Sequence, residues 1–261
     1  MKGLLKHLIE TAGYEISRKS VSGEGNDYRP SAFELEAEEK IKIVGKHTML
    51  PYNRLLSLYE QAIFCETSEL PGSFIECGTW KGGVAGLMAL ANLAHGKIRR
   101  HLHLFDSFAG IPEPDEAVDG TKAVMEARQF GGGTKGKLVA INGFYESAGT
   151  LQVNRELLEN IIGYDQSFLH YHQGWFQDTV PRDAGKVGEI AILHLDGDWY
   201  ASTMVCLENL YDKVVRGGFI IIDDYGCYEG CRKAVDEFLK RQRIRVYLHR
   251  IDSTGRYWIK P

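Results

Sequence analysis

Apolar and polar positions change their period several times along the chain. Between residues 33 and 69, Leu55, Leu56, Tyr59 and Ile63 recur at helical spacing and predict a helical segment. From Ser73 onward, short apolar runs alternate with helical patterns. Phe74-Ile-Glu-Cys77, His101-Leu-His-Leu-Phe105, Phe168-Leu-His-Tyr-His172, Ile190-Ala-Ile-Leu-His-Leu195 and Phe219-Ile-Ile-Ile222 read as strands. Helices are expected over 83–94, where Val84, Leu87, Met88 and Ala91 share a face, and near 150–162. A further helix runs through Met204, Leu207, Leu210 and Val214, and another spans 230–243. The runs 245–251 and 256–259, split by Asp252-Ser-Thr-Gly255, predict an antiparallel hairpin. This order predicts an α/β fold: a doubly wound, mostly parallel seven-stranded sheet with an antiparallel C-terminal hairpin and helices on both faces.

Two stretches stand outside the alternation. Residues 17–31 are polar and glycine-rich and read as a linker, preceded by a short stripe of Leu4, Leu5, Leu8 and Ile9. That stripe suits a helix packed on its own domain or on a second copy in a homo-oligomer. Residues 109–147 carry Pro112, Pro114, Gly120, Gly131-Gly-Gly133 and Gly136, and are expected to be loop-like. An insertion of that length in a compact domain is either a functional lid or a disordered stretch. The division expected is a helical arm and cap over 1–69 and a sheet domain over 70–261.

Composition narrows the function. The net charge of -4 argues against nucleic-acid binding, which needs clustered basic charge. The five cysteines are scattered and odd in number, so a disulfide framework is not expected and a reducing, cytoplasmic setting fits. Cys227 and Cys231 lack two further ligands at zinc spacing and read as ordinary small residues. No apolar run is long enough to cross a bilayer, and the opening residues lack the apolar core of a signal peptide.

The chemistry concentrates at strand ends. Asp196-Gly-Asp198 closes the Ile190 run and Asp223-Asp224 closes the Phe219 run. Ligands of open α/β sheets sit beyond the carboxyl ends of the strands, so four carboxylates converge on one crevice. Such charges repel, and some take up protons unless a cation balances them. Oxygen-only ligands suit a hard ion such as Mg2+. The plainer reading is that Asp196 and Asp198 cap the helix that follows Tyr200. It leaves Asp223-Asp224 unexplained. After the first strand, Gly78 and Gly82 permit a sharp turn and a close backbone approach, and Asp106 ends the next strand where nucleotide folds place an acid on ribose hydroxyls. Glu76 before the turn would repel a pyrophosphate but suits an amino group, such as that of S-adenosylmethionine. His101 with His103 and His170 with His172 alternate along strands and read as structural.

Five segments occur in order: Glu76-Cys-Gly-Thr-Trp-Lys-Gly-Gly83, Phe105-Asp-Ser-Phe-Ala-Gly-Ile-Pro112, Gly174-Trp-Phe-Gln-Asp-Thr-Val-Pro181, Leu195-Asp-Gly-Asp-Trp-Tyr-Ala-Ser-Thr203 and Gly217-Gly-Phe-Ile-Ile-Ile-Asp-Asp-Tyr225. Together they resemble the macrocin O-methyltransferase family over roughly residues 46–261. The resemblance implies a class I methyltransferase that uses S-adenosylmethionine and Mg2+ to methylate a hydroxyl, on a sugar of an antibiotic-type natural product. It implies Asp196, Asp223 and Asp224 as metal ligands and Asp198 as general base. It implies Glu76, Gly78, Thr79, Gly82, Asp106, Ser107 and Asp196 on the cofactor. Gly174 and Trp175 would flank the adenine, and Thr48 and Met49 would close over the cofactor. The glycine-rich insertion and the N-terminal arm depart from the family pattern, and both lie where the acceptor would be selected.

The chemistry explains the cluster. An aspartate of pKa about 3.9 faces an alcohol of about 15.7, a mismatch of roughly 16 kcal/mol. A metal that brings the oxygen towards about 7 cuts this to roughly 4 kcal/mol. Zinc sets that limit and magnesium does less, so Asp198 acts as base only beside a metal. Three alternatives remain. Methylation of a catechol-like phenol uses the same logic with an easier proton. A nicotinamide oxidoreductase is disfavoured by Glu76 and the acids, and a non-catalytic nucleoside-binding protein leaves Asp198 without a purpose.

Overall fold

A computed structural model describes residues 31–141 and 149–261. The stripe of Leu4 to Ile9, the linker up to residue 30 and residues 142–148 of the insertion lie outside the described residues. The chain divides into two compact units, Met1–Leu35 and Glu36–Pro261. In the first, Ser31 and Glu34 form a reciprocal capping box at a helix start, with Ser31 N–H donating to Glu34 at 2.7 Å and Glu34 N–H to Ser31 Oγ at 3.2 Å.

The helices α1 (Ala32–Val44) and α2 (Tyr52–Thr67) precede a seven-stranded sheet. Its strands are β1 (Ser73–Cys77), β2 (Leu102–Asp106), β3 (Leu169–Gln173), β4 (Ile190–Leu195), β5 (Val214–Ile222), β6 (His249–Arg250) and β7 (Arg256–Ile259). Their order is β3-β2-β1-β4-β5-β7-β6, with β1 to β5 parallel and β7 antiparallel to both neighbours. β1 and β4 are buried throughout, because helices cover both faces of the parallel centre. Ile75, Cys77, Leu193, Leu195, Ile220 and Ile222 face one core, which they share with α6 (Phe176–Asp183), α7 (Tyr200–Leu210) and α8 (Glu229–Arg241). The alternate positions face α2 and α3 (Gly83–His95). α3 is buried from Gly83 to Asn92, since it is packed between α2 and the sheet, and α5 (Leu151–Arg155) precedes β3.

Two buried polar systems tie the sheet to its surroundings. Arg100, at the start of β2, donates to Glu66 at 2.7 Å and to the carbonyls of Cys65 and Leu70, closing the end of α2 onto the sheet. Along β2 and β3, His103, His170 and His172 form a ladder with His101, the residue before β2. His101 meets His170 at 2.8 Å, His103 meets His172 at 3.0 Å, and His172 meets Asp183 of α6 at 3.0 Å.

The elements differ from the pattern-based expectation in four places. The insertion is not wholly loop: α4 (Gly120–Gln129) buries Ala123, Val124 and Ala127, and bridges join Ile111 to Ile141 and Asp115 to Lys135. Its flanking glycines disguise the short apolar face. α6 was not anticipated because Pro181 lies within it, although Phe176, Thr179, Val180 and Asp183 are buried at helical spacing. Pro181 supplies no N–H to the helix, so α6 carries it at the cost of one i→i−4 hydrogen bond. β5 begins at Val214, a residue expected in the preceding helix, since the β-branched pair Val214-Val215 already joins the sheet beside Ile190. The terminal hairpin pairs only over β6 and β7, so the run 245–248 stays outside the ladder.

Candidate active site

Backbone bonds continue past the strands and draw their carboxyl ends together. Asp196 N–H donates to Cys77 C=O at 2.8 Å, Asp223 N–H to Leu195 C=O at 3.0 Å, and Gly174 N–H to Asp106 C=O at 2.9 Å. The side chains that follow each strand therefore share one crevice. Gly78 has φ of +92°, and a Cβ there would sit 1.8 Å from Asp196 C=O, so only glycine lets β1 turn against β4.

Asp196, Asp198 and Asp224 offer carboxylate oxygens that all lie within 4.8 Å of one another. Burial and mutual repulsion hold Asp196 and Asp198 well above the ordinary carboxylate range, and Asp224 is raised as well. Asp223 is pushed up to about 7 by burial and by Asp224, against the opposing pull of Arg54. The trio differs from the set of Asp196, Asp223 and Asp224 that the resemblance implied. Asp198 joins it, while one oxygen of Asp223 is engaged by Arg54 of α2. The other, Asp223 Oδ1, is buried with no hydrogen-bond partner.

The capping alternative for Asp196 and Asp198 does not survive the geometry. The N–H of Tyr200, at the start of α7, donates to Asp119 Oδ1 at 2.7 Å. Asp119 comes from the insertion, whose Pro112 C=O also accepts from Trp199 Nε1 at 2.9 Å. Tyr228 Oη donates to Glu126 at 2.7 Å, so the insertion is fastened beside the acids at several points. Asp198 is free of capping duty and sits at φ of +56°, a strained backbone that aspartate tolerates better than most residues.

The crevice has two lobes that share Gly78, Asp106, Ile111, Asp196 and Asp198. Met49, Trp80 and Ile141 line the first, and Ser107, Gly174, Trp175 and Gln177 the second. Asp106 accepts the Thr79 N–H at 2.7 Å and the Phe108 N–H at 2.6 Å, fixing the glycine turn. Glu76 lies beneath that turn, fully buried, and accepts the Ala85 N–H at 2.9 Å; burial raises its pKa strongly. Gly82 packs against Asn154, and Gly83 donates to His47 C=O at 2.9 Å with Thr48 beside it. Thr48, Thr79, Gly82 and Glu76 thus shape the turn, whereas Met49, Gly78, Asp106, Ser107, Gly174, Trp175 and Asp196 face the crevice. A larger groove of about 680 Å³ opens at the opposite, amino ends of the strands, beside Ser73, His101 and Glu189, away from the acids.

The sequence reading missed Arg54, Asp119, Trp80, Ile111 and Ile141. A signal existed for Arg54: a cation in the first turn of a helix opposes the helix dipole and calls for an anionic partner. The donor set fits a hard divalent cation. It is all oxygen, it is largely buried, and it includes an orphaned carboxylate oxygen that an ion would satisfy.

Known proteins share this arrangement of sequence. The macrocin O-methyltransferase (TylF) family profile matches residues 37–260. The chain is 33% identical over 212 residues to the 8-demethyl-8-(2,3-dimethoxy-alpha-L-rhamnosyl)-tetracenomycin-C 4'-O-methyltransferase of Streptomyces olivaceus, covering 81% of this chain and 75% of that one. It is 32% identical over 243 residues to the demethyldecarbamoylnovobiocin O-methyltransferase of Streptomyces niveus, covering 92% and 80%. The solved structure of the O-methyltransferase NovP superposes with a TM-score of 0.71 at 28% identity, covering 87% of this chain and 99% of that chain. With its seven-stranded sheet, its strand-end acids and these relatives, the chain belongs to the macrocin O-methyltransferase family and is an S-adenosylmethionine-dependent O-methyltransferase.

Proposed function

We propose that this chain transfers the methyl group of S-adenosylmethionine to a hydroxyl on the sugar of a natural product, with Mg2+ bound at the strand-end aspartates. The meeting of Asp224 with Asp196 and Asp198, which line the crevice alongside Gly78 and Asp106, carries this reading. The relatives support the acceptor class: by name they act on a rhamnosyl tetracenomycin, a novobiocin precursor and mycinamicin III.

The roles follow from position. The second lobe takes the adenosine, with Trp175 and Gly174 against the base and Asp106 and Ser107 at the ribose. Gly78, Thr79, Gly82 and Glu76 shape the methionine end, and Thr48 and Met49 close over it. The first lobe takes the acceptor, whose apolar body rests on Trp80, Ile111 and Ile141. Asp196 and Asp224 would hold the cation together with Asp223, through the buried Oδ1 that Arg54 leaves without a partner. When bound, Mg2+ balances the carboxylates and lowers the pKa of an acceptor hydroxyl. Asp198 accepts the hydroxyl proton, and the lobes align the oxygen with the methyl group. The five cysteines, all free and mostly buried, suit a reducing compartment.

Mass spectrometry of methyl transfer across glycosylated metabolites and simple phenols, with Mg2+ or EDTA, tests the proposal. The expected result is Mg2+-dependent methylation of a sugar hydroxyl. Transfer confined to catechols would overturn the acceptor class, and undiminished turnover in EDTA would overturn the metal.

A further inference from the structure

We infer that Arg54 is a positioning residue for the cation site, holding Asp223 as a one-oxygen ligand and tying that ligand to α2 and to the turn between β6 and β7. The inference rests on the Mg2+ reading above and concerns how this chain prepares its own carboxylates. Arg54 is nearly buried and spends its whole guanidinium on three partners. One terminal nitrogen holds Asp223 Oδ2, and the other holds Thr254 Oγ1. Nε donates to Asp252 Oδ2 at 2.7 Å. Asp252 is fixed in turn, because its Oδ1 accepts the N–H groups of Thr254 at 2.9 Å and Gly255 at 2.7 Å. The fork therefore stands on a rigid turn between β6 and β7 and aims at the end of β5.

The consequence for Asp223 is specific. With Oδ2 occupied, Oδ1 is left buried and without a partner. Such an oxygen costs free energy unless something satisfies it, and it lies on the residue adjoining Asp224 of the acid trio. A flexible carboxylate could rotate to offer either oxygen or both. Held by a planar guanidinium, it offers one oxygen in one direction. Arg54 also sits three residues after Pro51, at the start of α2, which follows the His47 to Met49 segment in the chain. His47 C=O accepts the Gly83 N–H at 2.9 Å and Met49 lines the crevice. One side chain thus links α2, the cation site and the terminal hairpin.

A merely structural Arg54 would support α2 and the hairpin without affecting cation affinity, and calorimetry separates the two. Mg2+ is titrated into wild type, Arg54→Gln, Arg54→Lys and Asp252→Asn, each first verified as folded by its melting transition in EDTA. We expect Arg54→Gln to weaken Mg2+ binding at least about tenfold, the scale set by loss of a group that orients a metal ligand. Arg54→Lys should fall between it and wild type, and Asp252→Asn should lose about threefold, since it loosens the anchor without touching Asp223. S-adenosylmethionine affinity in EDTA should stay within about twofold, and excess Mg2+ should restore part of kcat. Unchanged or tighter Mg2+ binding in Arg54→Gln overturns the inference while leaving the metal reading intact. Should that variant fail to fold, Asp252→Asn decides in the same way. Absence of Mg2+ binding to wild type removes the metal reading and this inference together.

Discussion

Replacing Gly78 by alanine tests whether the contact between the ends of β1 and β4 sets the active-site geometry. The new Cβ would lie 1.8 Å from Asp196 C=O, whereas ordinary contact begins at 3.4 Å, so relief demands about 1.6 Å of displacement. That displacement falls on the backbone of Asp196, two residues before Asp198. A misplacement of about 1 Å can cost roughly a hundredfold in rate, so kcat/KM should fall by at least that factor, about 2.7 kcal/mol. The left-handed backbone adds about 1–2 kcal/mol of instability. Gly163→Ala is the control: its φ is +71°, yet nothing lies within 4 Å of the added carbon. It should lose the same 1–2 kcal/mol, roughly 2–8 °C in Tm, with activity unchanged. Steady-state methyl transfer and thermal melting of both variants decide the matter. If Gly78→Ala keeps activity within about threefold of wild type and melts like Gly163→Ala, the reasoning is refuted.

Asp198→Asn should lower kcat by about 10²–10⁴-fold, the usual contribution of a general base, with S-adenosylmethionine affinity in calorimetry unchanged; normal turnover would remove Asp198 as the base. The histidine ladder should make the protein acid-labile. Burial pushes His103 down to about 3 in the folded chain, against about 6.5 unfolded, so the unfolded state binds the extra proton and stability falls with pH between those values. From pH 7 to 5 this group alone should cost about 2 kcal/mol. Urea unfolding at both pH values should show the loss in wild type and a smaller one in His103→Asn; equal losses would clear His103. Arg100→Met leaves Glu66 buried beside a neutral side chain and should destabilise by about 3–5 kcal/mol in the same assay, and a loss under 1 kcal/mol would show that the pair is dispensable.

The order of the elements and the place of the chemistry were legible in the residue pattern along the chain. Apolar runs such as Ile190 to Leu195 must be buried on both faces, which requires a parallel sheet covered by helices, and the acids that end those runs then fall on its carboxyl edge. Periodicity failed where a local signal masked it, at Pro181 in α6 and at the glycines around α4. Which acids meet follows from the folding of the chain and not from its pattern. Asp198 approaches Asp196 and Asp224 through a left-handed backbone, and Asp223 is drawn to an arginine 169 residues away in the chain. The cap of α7 likewise comes from Asp119, 81 residues before Tyr200. Hydrogen bonds and charge pairs depend on distance in space, and a period read along the chain carries no information about partners so far apart.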